Sequence, residues 1–399
     1  MAMIAVDRNV MLKAMSLAAL GTDVRTTKVP ILRSIRVQAN GALSLTATDL
    51  NMEIEARCAY SGDEAAPFLI EQPGALAHML RHADGADVAM RPGNGSKEPL
   101  GIDAGDIAVE AKPEYHVDDF PVARPITQAS FAATLAPAHI DLLRRVAIAM
   151  SKEETRYYLN GVYLHRVDEW TVRAVATDGH RLVVASLPLM DCSDALNGVI
   201  VPRDAIHVLT GPLAKSDGFA MRIGDVTPRN ADSDLAPSTD MTRFEVETTI
   251  SGVSVRMTSK LIDGAFPDYT RVIPQGEPVS ITVDAKALRR AVRALSVSGS
   301  RVPVLRLRFH HEGVDVETAS SVATLSGRMR VAAEGYPVKG GPRQIEVGFS
   351  GQYLTDLMKV FTGDRIVFGL DQESAASAPV SVSDPADSGI FAVQMPLRL

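Results

Sequence analysis

Apolar and polar residues alternate with a period of two in three stretches: "VPILRSIRVQANGALSLTATDLNMEIEARC" (29–58), "YYLNGVYLHRVDEWTVRAVATDGHRLVVASL" (157–187) and "VPVLRLRFHHEGVDVETASSVATLSGRMRV" (302–331). That period, with many β-branched residues, predicts strands. Each stretch reads strand, polar turn, strand, small-residue bend, strand. The bends hold Thr48-Asp49, Thr177-Asp178 and Thr318-Ala319, spaced by 129 and 141 positions. Such spacing marks an internal repeat.

The flanks repeat as well. A segment of helical period precedes each strand group, at 7–20, 137–150 and 284–296, and a second follows it, at 73–85, 202–215 and 350–362. In 284–296, Leu288, Val292 and Leu295 form an apolar stripe, opposite Lys286, Arg289 or Arg290, and Arg293. In 137–150 the stripe is Ile140, Leu143, Ala147 and Met150, with Arg144 and Arg145 off it. The pattern predicts an α+β chain of three repeated domains, each with two helices and roughly eight antiparallel strands. The expected domains are 1–125, 126–275 and 276–399, with joints near Pro125 and Gln275-Gly276. Segment 224–243, rich in Pro, Asp, Ser and Thr, is expected to be a long hairpin loop of the second domain.

Charge changes the picture. The 399 residues carry a net −7, which argues weakly against nucleic acid as a partner. Yet the six predicted helices hold twelve Lys and Arg against six Asp, a net +6, leaving −13 for the rest. A solvated helix face explains any one of these helices. The same bias in all three repeats points instead to a basic surface for sequence-independent contact with a polyanion. Asp7, Asp204 and Asp284 fall in first turns, where carboxylates favour helix starts.

Other features exclude classes. No run of 18 apolar residues spans a membrane. Asp7, Arg8 and Lys13 interrupt the N-terminal segment, so a signal peptide is not expected. Two cysteines, Cys58 and Cys192, make neither a disulfide framework nor a zinc site. The expected compartment is the cytoplasm, and no cofactor or metal is expected.

The densest chemistry is "AVATDGHRL" (174–182), where Asp178, His180 and Arg181 surround Gly179. As an enzyme the chain would use Asp178 with His180, but it has no G-x-S-x-G elbow. The "HHEG" at 310–313 reads as a hairpin turn rather than a metal site.

Taken together, "LSLTATDLNMEIEAR", "RYYLNGVYL", "VATDGHRL", "LIDGAFPDYTRVIP" and the final "MPLRL" lie in order across nearly the whole chain. They resemble the β sliding clamp of bacterial DNA polymerase III. The resemblance implies three similar domains per chain and two chains closed head to tail into a ring. Its helices would face double-stranded DNA without sequence preference, and its sheets would form the outer wall. It implies a non-catalytic protein that tethers the polymerase. Its partners would be the DNA polymerase III alpha subunit, the clamp loader delta subunit and other proteins with clamp-binding motifs, and no membrane. A clamp paralogue specialised for repair or resistance is the alternative.

Carried over by position, the resemblance implies a peptide groove of Leu159, Thr177, Gly179, His180, Arg181, Leu182, Pro267, Arg271 and Val272. The tail adds Val393, Gln394, Met395, Pro396, Leu397, Arg398 and Leu399. Apolar Leu182, Val272, Met395 and Leu397 are expected to line the pocket, with Arg181, Arg271 and Arg398 at its rim. For DNA it implies Lys13, Arg25, Arg81, Arg145, Tyr158, Arg203 and Arg289. The chain departs from the family at Gln394, where an aliphatic residue is frequent, at Pro379, at Asp204 beside Arg203, and in the length of 224–243.

Overall fold

In the computed structural model, the described residues are 2–22, 28–93, 98–189, 192, 196–226, 242–275, 279–296, 304–319, 326–335, 344–371, 374 and 376–399. Most of the long 224–243 segment, and Gly276 at the expected second joint, lie outside them. The chain is α+β, with four antiparallel sheets and six α-helices among the described residues. The helices are α1 (Arg8–Ala18), α2 (Pro73–His82), α3 (Pro137–Val146), α4 (Arg203–Thr210), α5 (Ala285–Leu295) and α6 (Gly351–Leu357). All six fall within the predicted segments. Asp7, Asp284 and Ser350 cap α1, α5 and α6 by accepting from Val10, Ala287 and Tyr353 backbone N–H groups. Asp204 sits in the first turn of α4.

The chain forms two compact units. The first comprises Met1–Ile140, Leu189–Leu196 and His207–Leu261. It contains a five-stranded sheet ending on Ile107–Ala111, and an eight-stranded sheet. In the latter, four strands of the first repeat continue into four of the second, through Met52–Cys58 paired with Val253–Lys260. Leu43, Leu45, Ile54, Phe131, Phe219 and Phe244 are fully buried there.

The second unit comprises Asp141–Pro188, Asn197–Ile206 and Ile262–Leu399. Its nine-stranded sheet joins second-repeat to third-repeat strands through Arg181–Pro188 against Asp387–Gln394. A four-stranded sheet ends on Arg328–Val331. Phe309, Phe349 and Phe368 fill its core. In α5, Leu288 and Val292 are buried as the stripe predicts, while Leu295 is only half-buried.

Each repeat thus gives four or five strands to each of two sheets, and a sheet runs on from one repeat to the next. The rule is constant in the chain: the last strand of one repeat pairs antiparallel with the third strand of the preceding repeat's group of three.

Candidate functional site

The bend in "VATDGHRL" is built by its own side chains. Thr177 Oγ1 donates to Arg181 O at 2.7 Å and accepts from Gly179 N–H at 3.1 Å. Asp178 Oδ1 accepts from the backbone N–H of His180 (2.9 Å) and Arg181 (3.1 Å). Gly179 lies at φ +88°, a conformation glycine reaches without strain. The Asp178 carboxylate is taken up by backbone N–H groups and by Arg181, so the Asp178–His180 pair an enzyme would use is not formed.

Arg181 differs from its expected place on the rim. Its side chain is only 9% exposed, with Nε 3.0 Å from Asp178 and Nη1 3.2 Å from Asp356. The guanidinium lies over the Tyr353 ring, 4.7 Å from the centroid. It braces the wall because α6 brings two partners to it. Burial pushes the Asp356 carboxyl up, but bonds from Lys359 and Gln352 and the charge of Arg181 outweigh it and hold it low. Burial raises the Tyr353 hydroxyl. His180 is exposed and stacks on Tyr353, rings 5.8 Å apart. Sequence reasoning missed Tyr353 and Asp356 because α6, though expected as a helix, carries none of the family motifs.

Below the bend, Val175, Leu182, Val184, Tyr269 and Val393 form a buried apolar cluster, edged by Tyr163, Phe266, Ile273 and Phe391. Tyr163 stacks on Phe266 at 4.7 Å and on His165 at 5.0 Å. His165 Nε2 lies 2.9 Å from Tyr269 Oη, and burial lowers the imidazole pKa. Leu182 and Val393 are therefore floor rather than open lining. Leu159 is buried as well. Pro267, Arg271 and Val272 are exposed on the turn beside the cluster, where Arg271 pairs with Asp268 at 2.9 Å.

The C-terminal tail is held by main chain. Met395 N–H donates to His180 O at 2.9 Å, and Leu397 N–H to Gly348 O at 2.8 Å. Met395, Pro396 and Leu397 are half-buried, and Arg398 and Leu399 are exposed. Strand Asp387–Gln394 ends where the tail begins. The structure thus brings the bend Thr177–Leu182 to Val393 and Met395, with Leu182 and Val393 in the apolar cluster.

The candidate DNA residues divide. Arg81 is exposed at the end of α2, and Lys13 and Arg203 are half-buried. Arg145 and Arg289 do not fit the expected role. Arg145 is 5% exposed, bonded to Asp387 at 2.8 Å and to Val360 O at 3.1 Å. Arg289 donates to the carbonyls of Met358, Phe361 and Gly363. Both tie a helix to the segment after α6. The helical period placed them off the apolar stripe, but long-range carbonyls and Asp387 recruit them inward. Lys286, Arg290 and Arg293 of α5 are exposed instead. Arg25 lies outside the described residues. Tyr158 is half-buried, while neighbouring Tyr157, 5.8 Å away, is 53% exposed.

Among the described residues no three His, Cys, Asp or Glu cluster to hold a metal, and no helix is long and apolar enough to cross a membrane. His310–Gly313 is a hairpin turn, with His310 Nε2 3.1 Å from Asp315.

Repeated two-helix units and sheets shared from repeat to repeat define a protein of the DNA clamp fold. The family model for the DNA polymerase III beta subunit, central domain, matches residues 137–268, and that for its C-terminal domain matches 270–398. A beta sliding clamp of Caulobacter vibrioides is 33% identical over 99% of both chains, and one of Pseudomonas aeruginosa is 29% identical over 99% of both. Among solved structures, a DnaN sliding clamp from Bartonella birtlesii bound to griselimycin superposes with TM-score 0.82 at 28% identity, over 100% of both chains. One from Caulobacter crescentus gives 0.81 at 29%, also over 100% of both. The chain belongs to the DNA polymerase III beta subunit family, the beta sliding clamps.

Proposed function

We propose that this chain is a sliding clamp: two copies close into a ring around duplex DNA and tether the replicative polymerase, without chemistry of their own. The three clamp domains are 1–125, 126–275 and 276–399. Polymerase, clamp loader and repair proteins dock short apolar motifs on the groove built from Thr177–Leu182, Pro267–Val272 and Val393–Leu399. Arg81, Lys13, Arg203 and the exposed α5 cations meet the phosphates.

One observation carries the reading: the rule by which repeats join. Twice in the chain, the last strand of one repeat pairs with the third strand of the preceding group. Applied once more, the last strand of the first repeat, Ile107–Ala111, pairs with the third strand of the third group, Arg328–Val331, of another copy. Both are terminal strands of their sheets. Their exposed side chains suit the match, with Glu110 on one and Arg328 and Arg330 on the other. A cavity of about 480 Å³ beside Ile107–Ala111, lined by Leu76, Met79 and Val109, offers apolar area for burial. A head-to-tail joint of this kind, used twice, closes a ring. A ring holds DNA by linkage, which fits weak basic contacts.

The test loads the chain onto nicked circular duplex with a clamp loader. The full chain, a dimer of about twice 42.7 kDa, stays on the circle and slips off when the circle is cut. A chain lacking Met395–Leu399 remains a dimer but captures no polymerase-derived peptide. Equal retention on cut and closed DNA overturns the ring. Unchanged peptide capture overturns the groove.

A further inference from the structure

The junction between the first two repeats holds a cavity of about 330 Å³, bounded by the bend Thr48–Glu53, by 121–124 and by the ends of strands Thr242–Ile250 and Val253–Lys260. All of these lie in the first compact unit. Two exposed apolar side chains line it, Leu50 at 50% and Val122 at 53% exposure. Leu50 sits at φ +77°, a strained place for any side chain, which the second bend fills with Gly179. A leucine that is both strained and exposed gives little to the fold. Such strain gathers where a ligand is held, and exposed apolar residues around a cavity mark a contact surface.

Three cations line the same cavity: Arg124, Arg243 and Lys260. Arg243 and Lys260 are direct partners on adjacent strands, where like charges destabilise the pair. An anion between them removes that repulsion. Arg243 also donates to Thr242 O at 3.0 Å. Among the described lining residues the one carboxyl is Glu53. It accepts from Ala123 N–H, and burial favours its neutral form, so it opposes an anion weakly. Lys260 holds the place that Met395 holds at the second junction: their backbone N–H groups donate to Asn51 O and His180 O of the two bends. The same position is cationic at one junction and apolar at the other.

We propose that this cavity is a second docking site, separate from the groove at Thr177–Leu182, for an acidic peptide segment: an apolar side chain seats on Leu50 and Val122, and a neighbouring carboxylate is shared by Lys260, Arg243 and Arg124. A phosphate alone would leave Leu50 and Val122 in water, so the ligand carries apolar and acidic groups side by side. The site rests on neither the ring nor the groove.

The probe is a fluorescein-labelled hexapeptide of two leucines followed by four aspartates, with a control in which asparagine replaces every aspartate. Binding to the full chain is followed by fluorescence anisotropy. The aspartate peptide should bind about tenfold more tightly than its control, the worth of one charge-assisted hydrogen bond. Lys260→Gln should abolish that preference and Lys260→Arg should keep it. Leu50→Gly should weaken both peptides about fivefold, the loss of one apolar contact, without lowering the denaturant midpoint. Removal of Met395–Leu399, or an excess of polymerase-derived peptide, should change nothing. No binding of the aspartate peptide, equal binding of both peptides, or a preference that survives Lys260→Gln overturns the site. Displacement by the polymerase-derived peptide would assign the probe to the groove, and displacement by a single-stranded oligonucleotide would make the cavity a phosphate site; either overturns the proposal.

Discussion

The bends at Thr48–Met52 and Thr177–Arg181 have the same backbone and different uses. In the first, Thr48 Oγ1 donates to Met52 O at 2.8 Å and accepts from Leu50 N–H at 3.0 Å. Asp49 Oδ1 accepts from Asn51 and Met52 N–H groups at 2.8 and 2.7 Å. Every bond has its twin in the second bend. Even the next strand docks alike: Lys260 N–H reaches Asn51 O, and Met395 N–H reaches His180 O. The Thr-Asp pair is therefore a fold device. The four residues after the aspartate set the copies apart: "Leu-Asn-Met-Glu" at the first bend becomes "Gly-His-Arg-Leu" at the second, the one proposed to dock polymerase peptides.

Two replacements decide the outcome. Leu50 takes φ +77° and glycine takes the matching place at 179, so the first bend bears a strain of about 1 kcal/mol that the second avoids. Glu53 stands where Leu182 stands. Its Oε2 accepts from Ala123 N–H, fastening 121–124 beside the bend, where a 330 Å³ cavity remains. Leu182 instead faces Val393 across the strands and joins an apolar cluster. A carboxylate latches the linker of the first repeat, while a leucine leaves an apolar floor in the second.

The largest test of this contrast is Arg181→Met, which gives the second bend the residue of the first. It removes a buried cation from Asp178 and Asp356, and breaking a buried pair costs about 3 kcal/mol. The expected result is a lower denaturant midpoint together with lost peptide binding, since Tyr353 loses its cover. A loss under about 1 kcal/mol would show that Arg181 braces nothing.

Next in size are the paired changes Asp49→Ala and Asp178→Ala. Each strips an acceptor from two backbone N–H groups, worth about 1 kcal/mol apiece. Asp178→Ala should cost more, because it also frees Arg181 Nε. Equal losses in urea unfolding would mean that the Arg181 pair adds nothing at the second bend. Peptide binding should fall only for Asp178→Ala.

Much of this was legible in the chain. Period-two runs, the Thr-Asp spacing and the six helical segments give the repeats, because each reports a local preference or a nearest-neighbour turn. The family motifs singled out Leu182 and the tail, but as pocket lining, whereas Leu182 is buried. Tyr353, Asp356 and the inward roles of Arg145 and Arg289 were not. Their partners lie far along the chain: Arg181 meets Asp356 at a separation of 175 residues, and Arg145 meets Asp387 at 242. No periodicity encodes such a meeting. Surface arginines and buried braces look identical on a helical projection.

The smallest effect concerns the latch. Burial raises the Glu53 pKa above its ordinary value of 4.5; the Ala123 N–H bond and Arg256 only partly oppose this, and Glu55 adds to it. A carboxyl whose folded pKa is raised holds its proton better folded than unfolded. Its contribution therefore favours the fold at low pH and is lost as pH rises through the raised value. Glu53→Gln keeps an acceptor for Ala123 N–H and removes the charge. It should raise the melting temperature at pH 8, by about 1 kcal/mol or less in stability. The gain should close as pH falls toward 4.5, where the parent chain is protonated as well. Leu182→Gln, the same side chain at the matching place, should instead lower stability at every pH, because it buries an amide in an apolar cluster. A pH-independent gain from Glu53→Gln would mean that the latch works by shape alone, and the two junctions would then differ in packing rather than in charge.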